Sequence, residues 1–356
     1  MTLNNNNSEL SSTEGVLTTV MAGNDLSQSE AQRFFSQVLQ GEIEPALLAS
    51  VLTALKIKGE VPNEIAGAAI ATRNAASIFP QRNSTEDIIV DCVGTGGDGA
   101  HTINISTTAA ILAAACGLKV AKHGNRSVSS MSGSADLLEA FGVNLMMSPI
   151  TAKHCLEQTN LCFLYAPAYH SGFRHAAPVR KAMGVRTLFN ILGPLVNPAK
   201  PNIMLLGVYT PELLEPMAEA LLLTGVERAF VVHGSGLDEI ALHGDTQVIE
   251  IRDGQLFSQT LSPQSFGLDN HSLDAIKGGT PRENAQIIKA ILSGNGEPAH
   301  NAAVVINCAA LLYLHAKADS LIDAAQLASE VLSSGQGLAT LLALVELSNR
   351  VIQGEE

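Results

Sequence analysis

Four stretches of this 356-residue chain carry residue types suited to chemistry on anions. The first runs from Asp91 to Gly117 and contains Gly94-Thr95-Gly96-Gly97-Asp98-Gly99, with Asn104, Ser106 and Thr107 shortly after. Glycines let the backbone approach an anion without an obstructing Cβ, and a helix opening near Asn104 would present free N–H groups, so the stretch can cradle a phosphate. It has neither the Gly-Lys-Ser/Thr of a Walker A loop nor the GxGxxG register of a dinucleotide site. A Gly-rich turn with a Ser/Thr helix cap is the alternative. The second stretch, Lys122-His123-Gly124-Asn125-Arg126-Ser127-Val128-Ser129-Ser130, packs two cations, a glycine and several hydroxyls into a segment suited to a polyphosphate, although a polar surface loop would look similar. The third is the pair Asp238-Glu239 after His233-Gly234-Ser235-Gly236; taken alone, adjacent carboxylates in a loop are usually just solvated surface charge. The fourth, Gly172 to Arg180 followed by Arg186 to Asn197, is a cationic stretch in an acidic chain. Its guanidinium groups could take a carboxylate bidentately, or could simply tie the segment down through ion pairs.

These stretches need elements to hold them. Ser27 and Glu30 form a capping box before the helical spacing of Ala31, Phe34, Phe35 and Val38, with Gly41 as the stop, and helices follow at Pro45 to Lys58 and Pro62 to Ala76. No strand pattern precedes residue 87. From Ile88-Ile89-Val90 onward, strand-type runs at Leu118 to Ala121, Cys162 to Tyr165, Ile203 to Tyr209, Ala229 to Val232 and Val248 to Ile251 alternate with helical stretches. Helices at Ala302 to His315, Ala318 to Leu332 and Leu338 to Val351 close the chain. The expected fold class is therefore α/β, a small all-helical N-terminal domain plus a larger α/β domain with a mainly parallel central sheet and flanking helices. The expected domains are a flexible tail at 1–15, a helical domain at 16–87 and an α/β domain at 88–356. In a parallel sheet, ligands bind beyond the carboxyl ends of the strands, where the first three stretches fall.

Composition narrows the partners. Against 34 acidic residues stand 21 Lys and Arg, a formal net charge of −13, which repels polyanions and argues against nucleic acid. A small phosphorylated ligand remains compatible through a locally positive cleft. Five cysteines, Cys92, Cys116, Cys155, Cys162 and Cys308, lack metal spacing and read as buried thiols of a reducing cytoplasm. No signal pattern and no membrane-spanning apolar run is visible, so no membrane partner is expected.

The segments GTGGDG, NIST, KHGNRSVSS, GFRHAAPVR and RTLFNILGPLVNP, in this order and spacing, resemble the signatures of the anthranilate phosphoribosyltransferases, from about residue 20 to the C-terminus. The resemblance implies transfer of the 5-phosphoribosyl group from phosphoribosyl pyrophosphate (PRPP) to the amine of anthranilate in tryptophan biosynthesis. It implies Mg²⁺ as cofactor, and a homodimer formed through a helical domain that a segment near 175–200 completes. Carried over by position, PRPP contacts fall on Gly94, Gly97, Asp98, Thr102, Asn104, Ile105, Ser106, Thr107, Lys122, His123, Gly124, Asn125, Arg126, Ser127, Val128, Ser129, Ser130 and Ser134. Anthranilate contacts fall on Gly94, Asn125 and Arg180, and the metal ligands on Ser106, Asp238 and Glu239. Catalysis is expected to rest on positioning and electrostatics, with Lys122, His123 and Arg126 as the candidates and no obligatory general base. Two residues depart from the family pattern, His101 before Thr102 and Met131 after the second loop. Rival readings are a pyrimidine nucleoside phosphorylase, which shares the fold, and a non-enzymatic nucleic-acid-binding relative, for which a basic surface would be expected.

Overall fold

A computed structural model describes residues 13–80, 87–127 and 131–350. In chain order its elements are α1 (Thr13–Met21), α2 (Gln28–Gln40), α3 (Pro45–Lys58), α4 (Pro62–Asn74), β1 (Ile89–Gly94), α5 (Ile105–Ala115), β2 (Lys119–Gly124), α6 (Ser134–Ala140), α7 (Pro149–Thr159), β3 (Leu161–Tyr165), α8 (Ala166–Tyr169) and α9 (Phe173–Met183). Then come β4 (Ile203–Gly207), α10 (Leu214–Leu223), β5 (Arg228–Gly234), β6 (Thr246–Arg252), β7 (Gln255–Leu261), α11 (Pro281–Leu292), α12 (Pro298–Leu314), α13 (Leu321–Ser333) and α14 (Gln336–Ser348). The chain divides into two compact units, one holding residues up to 76 with 170–196 and 219–224, the other 77–169, 197–218 and 225–356.

The first unit is helical. At α2 the Ser27–Glu30 capping box forms, and the helix ends on Gly41 at φ +81°, a left-handed conformation that glycine adopts without steric cost. Its buried stripe of Ala31, Phe34, Phe35, Val38 and Leu39 is the helical spacing the sequence showed. Phe35 meets Phe189 edge-on at 5.7 Å, and Phe189 meets Phe173 at the same separation, so the 170–196 segment joins this aromatic core. Glu64 is fully buried, yet it accepts from the Leu26 and Val61 amides and from Lys58 Nζ, which satisfies the charge where it sits. Helix α1 corrects the expectation of a tail through residue 15, because helix begins at Thr13; residues 1–12 of that tail lie outside the described residues.

The second unit is built on a seven-stranded sheet of order β3-β2-β1-β4-β5-β6-β7. The five strands from β3 to β5 pair in parallel, and β6 and β7 add an antiparallel edge. β7 is the strand the sequence concealed. Most of its residues are exposed or half-exposed, so QLFSQTL lacks the continuous apolar run of a strand buried on both faces. Helices α5 and α12 are buried almost all round, as their Ala- and Leu-rich sequences require, and pack against one another in the core. No single helix among the described residues is long and apolar enough to cross a membrane.

Candidate active site

In the α/β unit the phosphate-type loops leave the C-terminal ends of adjacent strands. β1 ends at Gly94, and the following loop takes Gly96, Gly97 and Gly99 through φ values of +70°, +83° and +75°. Only glycine enters that region freely, so the glycines shape a tight turn as well as clearing space. Thr95 N donates to the Gly207 carbonyl at 2.9 Å, and Thr95 Oγ1 accepts from Tyr209 N at 3.1 Å, pinning the loop to the end of β4. The loop continues through His101, itself left-handed at φ +55°, and Thr102, which bridges the backbone at Lys277. It then reaches α5.

Asn104 stands at the helix N-cap position, but its side chain faces elsewhere. Its Nδ2 donates to the Ser132 carbonyl at 2.9 Å, and its Oδ1 accepts from Asn284 Nδ2 at 2.9 Å. The Ile105 side chain is buried and its amide donates to Ile103 O, whereas the Ser106 amide donates to Glu239 Oε1 at 3.2 Å. Thr107 lies in the same first turn with its side chain buried.

The second loop leaves β2. Lys122 and His123 are buried at its end, and Lys122 Nζ donates to the Cys92 carbonyl on β1 at 2.6 Å. A Cβ at Gly124 would overlap Ser134 Oγ, which donates to the Asn125 carbonyl at 3.2 Å. Asn125 Oδ1 accepts from Arg126 N, and the Ser127 and Gly133 amides both donate to Asp136 Oδ2 at 2.9 Å, closing the loop on the start of α6. Arg126 is half-exposed and pairs with Asp136 at 3.0 Å and Glu139 at 2.7 Å. These carboxylates raise its pKa, so the cation expected to offset anionic charge is already engaged. Val128, Ser129 and Ser130 lie outside the described residues.

The carboxylate pair comes from the segment after β5. Asp238 Oδ2 accepts the Gly96 amide at 2.6 Å, across 142 positions of sequence. Glu239 holds Ser106 through both its amide and its hydroxyl. The Asp98 carboxyl hydrogen-bonds Asp238 as well. Burial, then the neighbouring charges of Glu239 and Asp98, push the Asp238 carboxyl well above the ordinary range, and burial lifts Glu239 to about 7 despite Ser106 and the attraction of Lys122. Gly94 to Asp98 and Ser106 of the first stretch and Asp238-Glu239 of the third are thus in one place, with Lys122 of the second close enough to influence Glu239.

Such crowding of hard oxygen donors suits a divalent cation. No three His, Cys, Asp or Glu side chains among the described residues make a complete cage. Two carboxylates and a hydroxyl are instead the partial set that Mg²⁺ accepts while it keeps waters and substrate phosphates in its shell.

Sequence reasoning named Gly94 as a ligand contact but missed Gly207, which also lies beneath the pair. A Cβ at Gly207, the last residue of β4, would overlap the Asp238 carbonyl, and one at Gly94 would overlap the Asp238 carboxylate. A glycine ending the apolar run Ile203 to Tyr209 was the available signal, since glycine in a strand often marks a close backbone approach.

Arg180 belongs to the helical unit, on α9. Its guanidinium lies over the Phe189 ring at 5.3 Å, burial lowers its pKa, and no Asp or Glu among the described residues pairs with it within 4.0 Å. A planar cation stacked on an aromatic ring with its hydrogen-bonding edge uncommitted to an acid can receive a carboxylate.

Comparison with known proteins bears on both units. Residues 86–338 match the glycosyl transferase family a/b domain, and residues 15–76 match the helical bundle domain of the same family. The anthranilate phosphoribosyltransferase of Colwellia psychrerythraea is 76% identical over 341 residues, covering 96% of this chain and 93% of that protein. The crystal structure of the Thermus thermophilus anthranilate phosphoribosyltransferase (TrpD) is similar with a TM-score of 0.88 at 42% identity, over 94% of this chain and 99% of the other. That of the Saccharomyces cerevisiae protein in complex with PRPP and Mg has a TM-score of 0.85 at 30% identity, over 95% and 98%.

Proposed function

The chain belongs to the anthranilate phosphoribosyltransferase family and transfers the 5-phosphoribosyl group from PRPP to the amine of anthranilate, releasing pyrophosphate; we propose that the loops after β1 and β2, the Asp238-Glu239 pair and Arg180 carry this out. The observation that carries the reading is the bond from the Gly96 amide to Asp238, with Glu239 on the first turn of α5, because it joins a phosphate-type loop to a metal-type carboxylate pair. In this reading the pyrophosphate of PRPP lies along the Gly94–Gly99 loop and the Lys122–Ser127 loop. Ser106, Asp238 and Glu239 hold Mg²⁺, which neutralises the charge growing on the leaving pyrophosphate. Arg180 takes the anthranilate carboxylate bidentately, and Asn125 and the Gly94 carbonyl face its amine.

The amine is a neutral nucleophile, so no strong base is required. What the residues supply is alignment of amine and anomeric carbon, and fixed positive charge from Lys122 and backbone N–H groups where negative charge develops. Arg126 joins them by exchanging Asp136 and Glu139 for phosphate oxygens. The five free thiols suit a reducing cytoplasm. Homodimerisation would use the helical unit, where Met21 and Ile57 stand 72% and 82% exposed, and sedimentation velocity at several concentrations tests it.

The metal assignment is tested by Asp238→Asn combined with Glu239→Gln, which keeps size while removing two charges. The variant is expected to need at least about tenfold more Mg²⁺ for half-maximal rate and to fall in maximal rate, because amide oxygens are poorer ligands for a hard cation. A rate-against-Mg²⁺ curve superimposable on wild type would remove the pair from the site.

A further inference from the structure

We propose that Asn197 and Asp91 are positioning residues for PRPP, a buried clamp that fixes the two phosphate loops relative to one another. The inference rests on the reading of those loops given above. Asp91 lies in the middle of β1 and Asn197 just before Pro198; both are fully buried. Asn197 Nδ2 donates to Asp91 Oδ2 at 2.8 Å and to the Ala121 carbonyl of β2 at 2.7 Å, while its Oδ1 accepts from Ala199 N at 2.9 Å. Both amide hydrogens and the amide oxygen are therefore used, and one planar group spans β1 and β2.

Position gives this its significance. β1 and β2 are parallel neighbours, with Val90 opposite Val120, so Asp91 and Ala121 lie side by side just upstream of Gly94 and Gly124, where the two loops begin. Ordinary ladder bonds already hold the strands, and the clamp adds a side chain whose geometry has a single solution. A carboxylate in the centre of a buried strand is costly unless something uses its charge. Asp91 Oδ1 makes no hydrogen bond of normal geometry, so stability alone does not account for the ionisable group. The opposite charge that acts on it is Lys122 on the neighbouring strand. The register sets Asp91 beside Ala121 and Cys92 beside Lys122, so the two side chains leave opposite faces of the sheet, and Lys122 Nζ rests on the Cys92 carbonyl with no acid within 4.0 Å among the described residues. The Asp91 carboxylate thus attracts the Lys122 ammonium across the sheet without pairing with it, an attraction that Glu239 shares, and the ammonium keeps donors for phosphate oxygens. Asn197 sets the loop spacing, and the Asp91 charge helps hold the ammonium.

The test uses the full chain with Mg²⁺, measuring PRPP Kd by calorimetry, both KM values, kcat and the melting temperature for Asn197→Ala, Asp91→Asn and Lys122→Met. Asn197→Ala is expected to weaken PRPP binding about tenfold, the effect of leaving buried partners unpaired at a binding site, with anthranilate KM unchanged. Asp91→Asn keeps an acceptor for Asn197 and loses only the charge, so a smaller rise in PRPP Kd is expected at near wild-type melting temperature. A merely structural role predicts lower melting temperature and fewer active molecules, hence reduced kcat with PRPP KM unmoved, and that pattern overturns the proposal. So does wild-type PRPP Kd in both folded variants, or in Asp91→Asn alone should Asn197→Ala not fold. Lys122→Met separates the two levels of inference: wild-type PRPP affinity there strikes the phosphate-loop reading itself, whereas a loss there beside unchanged Asn197 and Asp91 variants sinks only the clamp.

Discussion

At the scale of single residues, what decides a role is which partners a side chain already has. Arg126 and Arg180 look alike in sequence, yet Arg126 is held by two carboxylates and Arg180 lies over Phe189 without an acidic partner among the described residues. Arg180→Ala is accordingly expected to raise the anthranilate KM by about ten- to a hundredfold, the worth of a charged hydrogen bond, with little change in PRPP affinity. Arg180→Lys should recover only part of the loss, since an ammonium keeps the charge without the planar fork. Steady-state kinetics with each substrate varied in turn decides the matter, and unaltered anthranilate kinetics in folded Arg180→Ala returns the residue to a structural role. The sequence disclosed these residue types and their order, because GTGGDG and KHGNR are local. It could not disclose that Asn104 turns toward Ser132 and Asn284, or that Asp238 reaches Gly96, because those bonds join positions 28, 180 and 142 apart.

At the scale of elements, local periodicity made most helices readable and the parallel strands visible as apolar runs. Thr13–Met21 was hidden beside an Asn- and Ser-rich start, and β7 by its exposure. Strand β4 holds a constraint that periodicity does not show: its last residue, Gly207, carries the Asp238 backbone directly on its Cα face. Gly207→Ala is expected to destabilise the protein by about 2 kcal/mol, as overpacking against immovable backbone does. The displaced Asp238 should also shift the Mg²⁺ dependence toward higher concentration. Urea unfolding and rate-against-Mg²⁺ curves read the two effects, and a variant unchanged in both would mean that the segment after β5 yields without cost.

At the scale of the whole molecule, two buried ionisable groups give the units opposite responses to acid. In the helical unit His170 is buried and its pKa is depressed to about 4. A base whose folded pKa lies below its unfolded one leaves the unfolded chain binding more protons, so its stabilising contribution is lost as pH falls from about 6.5 toward 4, about 3 kcal/mol over the window. Burial raises Asp91 in the α/β unit to about 6, against an unfolded value near 4. There the folded state takes up the proton first, so stability rises as pH falls through the same window. Hydrogen exchange corrected for its intrinsic pH dependence should show α2 to α4 losing protection between pH 7 and pH 5 while β1 to β4 keep theirs, and His170→Gln should flatten the first trend. Equal loss in both units would contradict it. The bond from Gly96 to Asp238 has, finally, a kinetic side. A contact that closes so long a loop forms late, after β4 and β5 have docked, because loop-closure entropy must be met before it is rewarded. A nascent chain that has emerged only as far as α6 holds both the glycine-rich and the basic loop without Asp238 and Glu239, so on the proposed reading the metal-binding pair is the part of the site that synthesis supplies last.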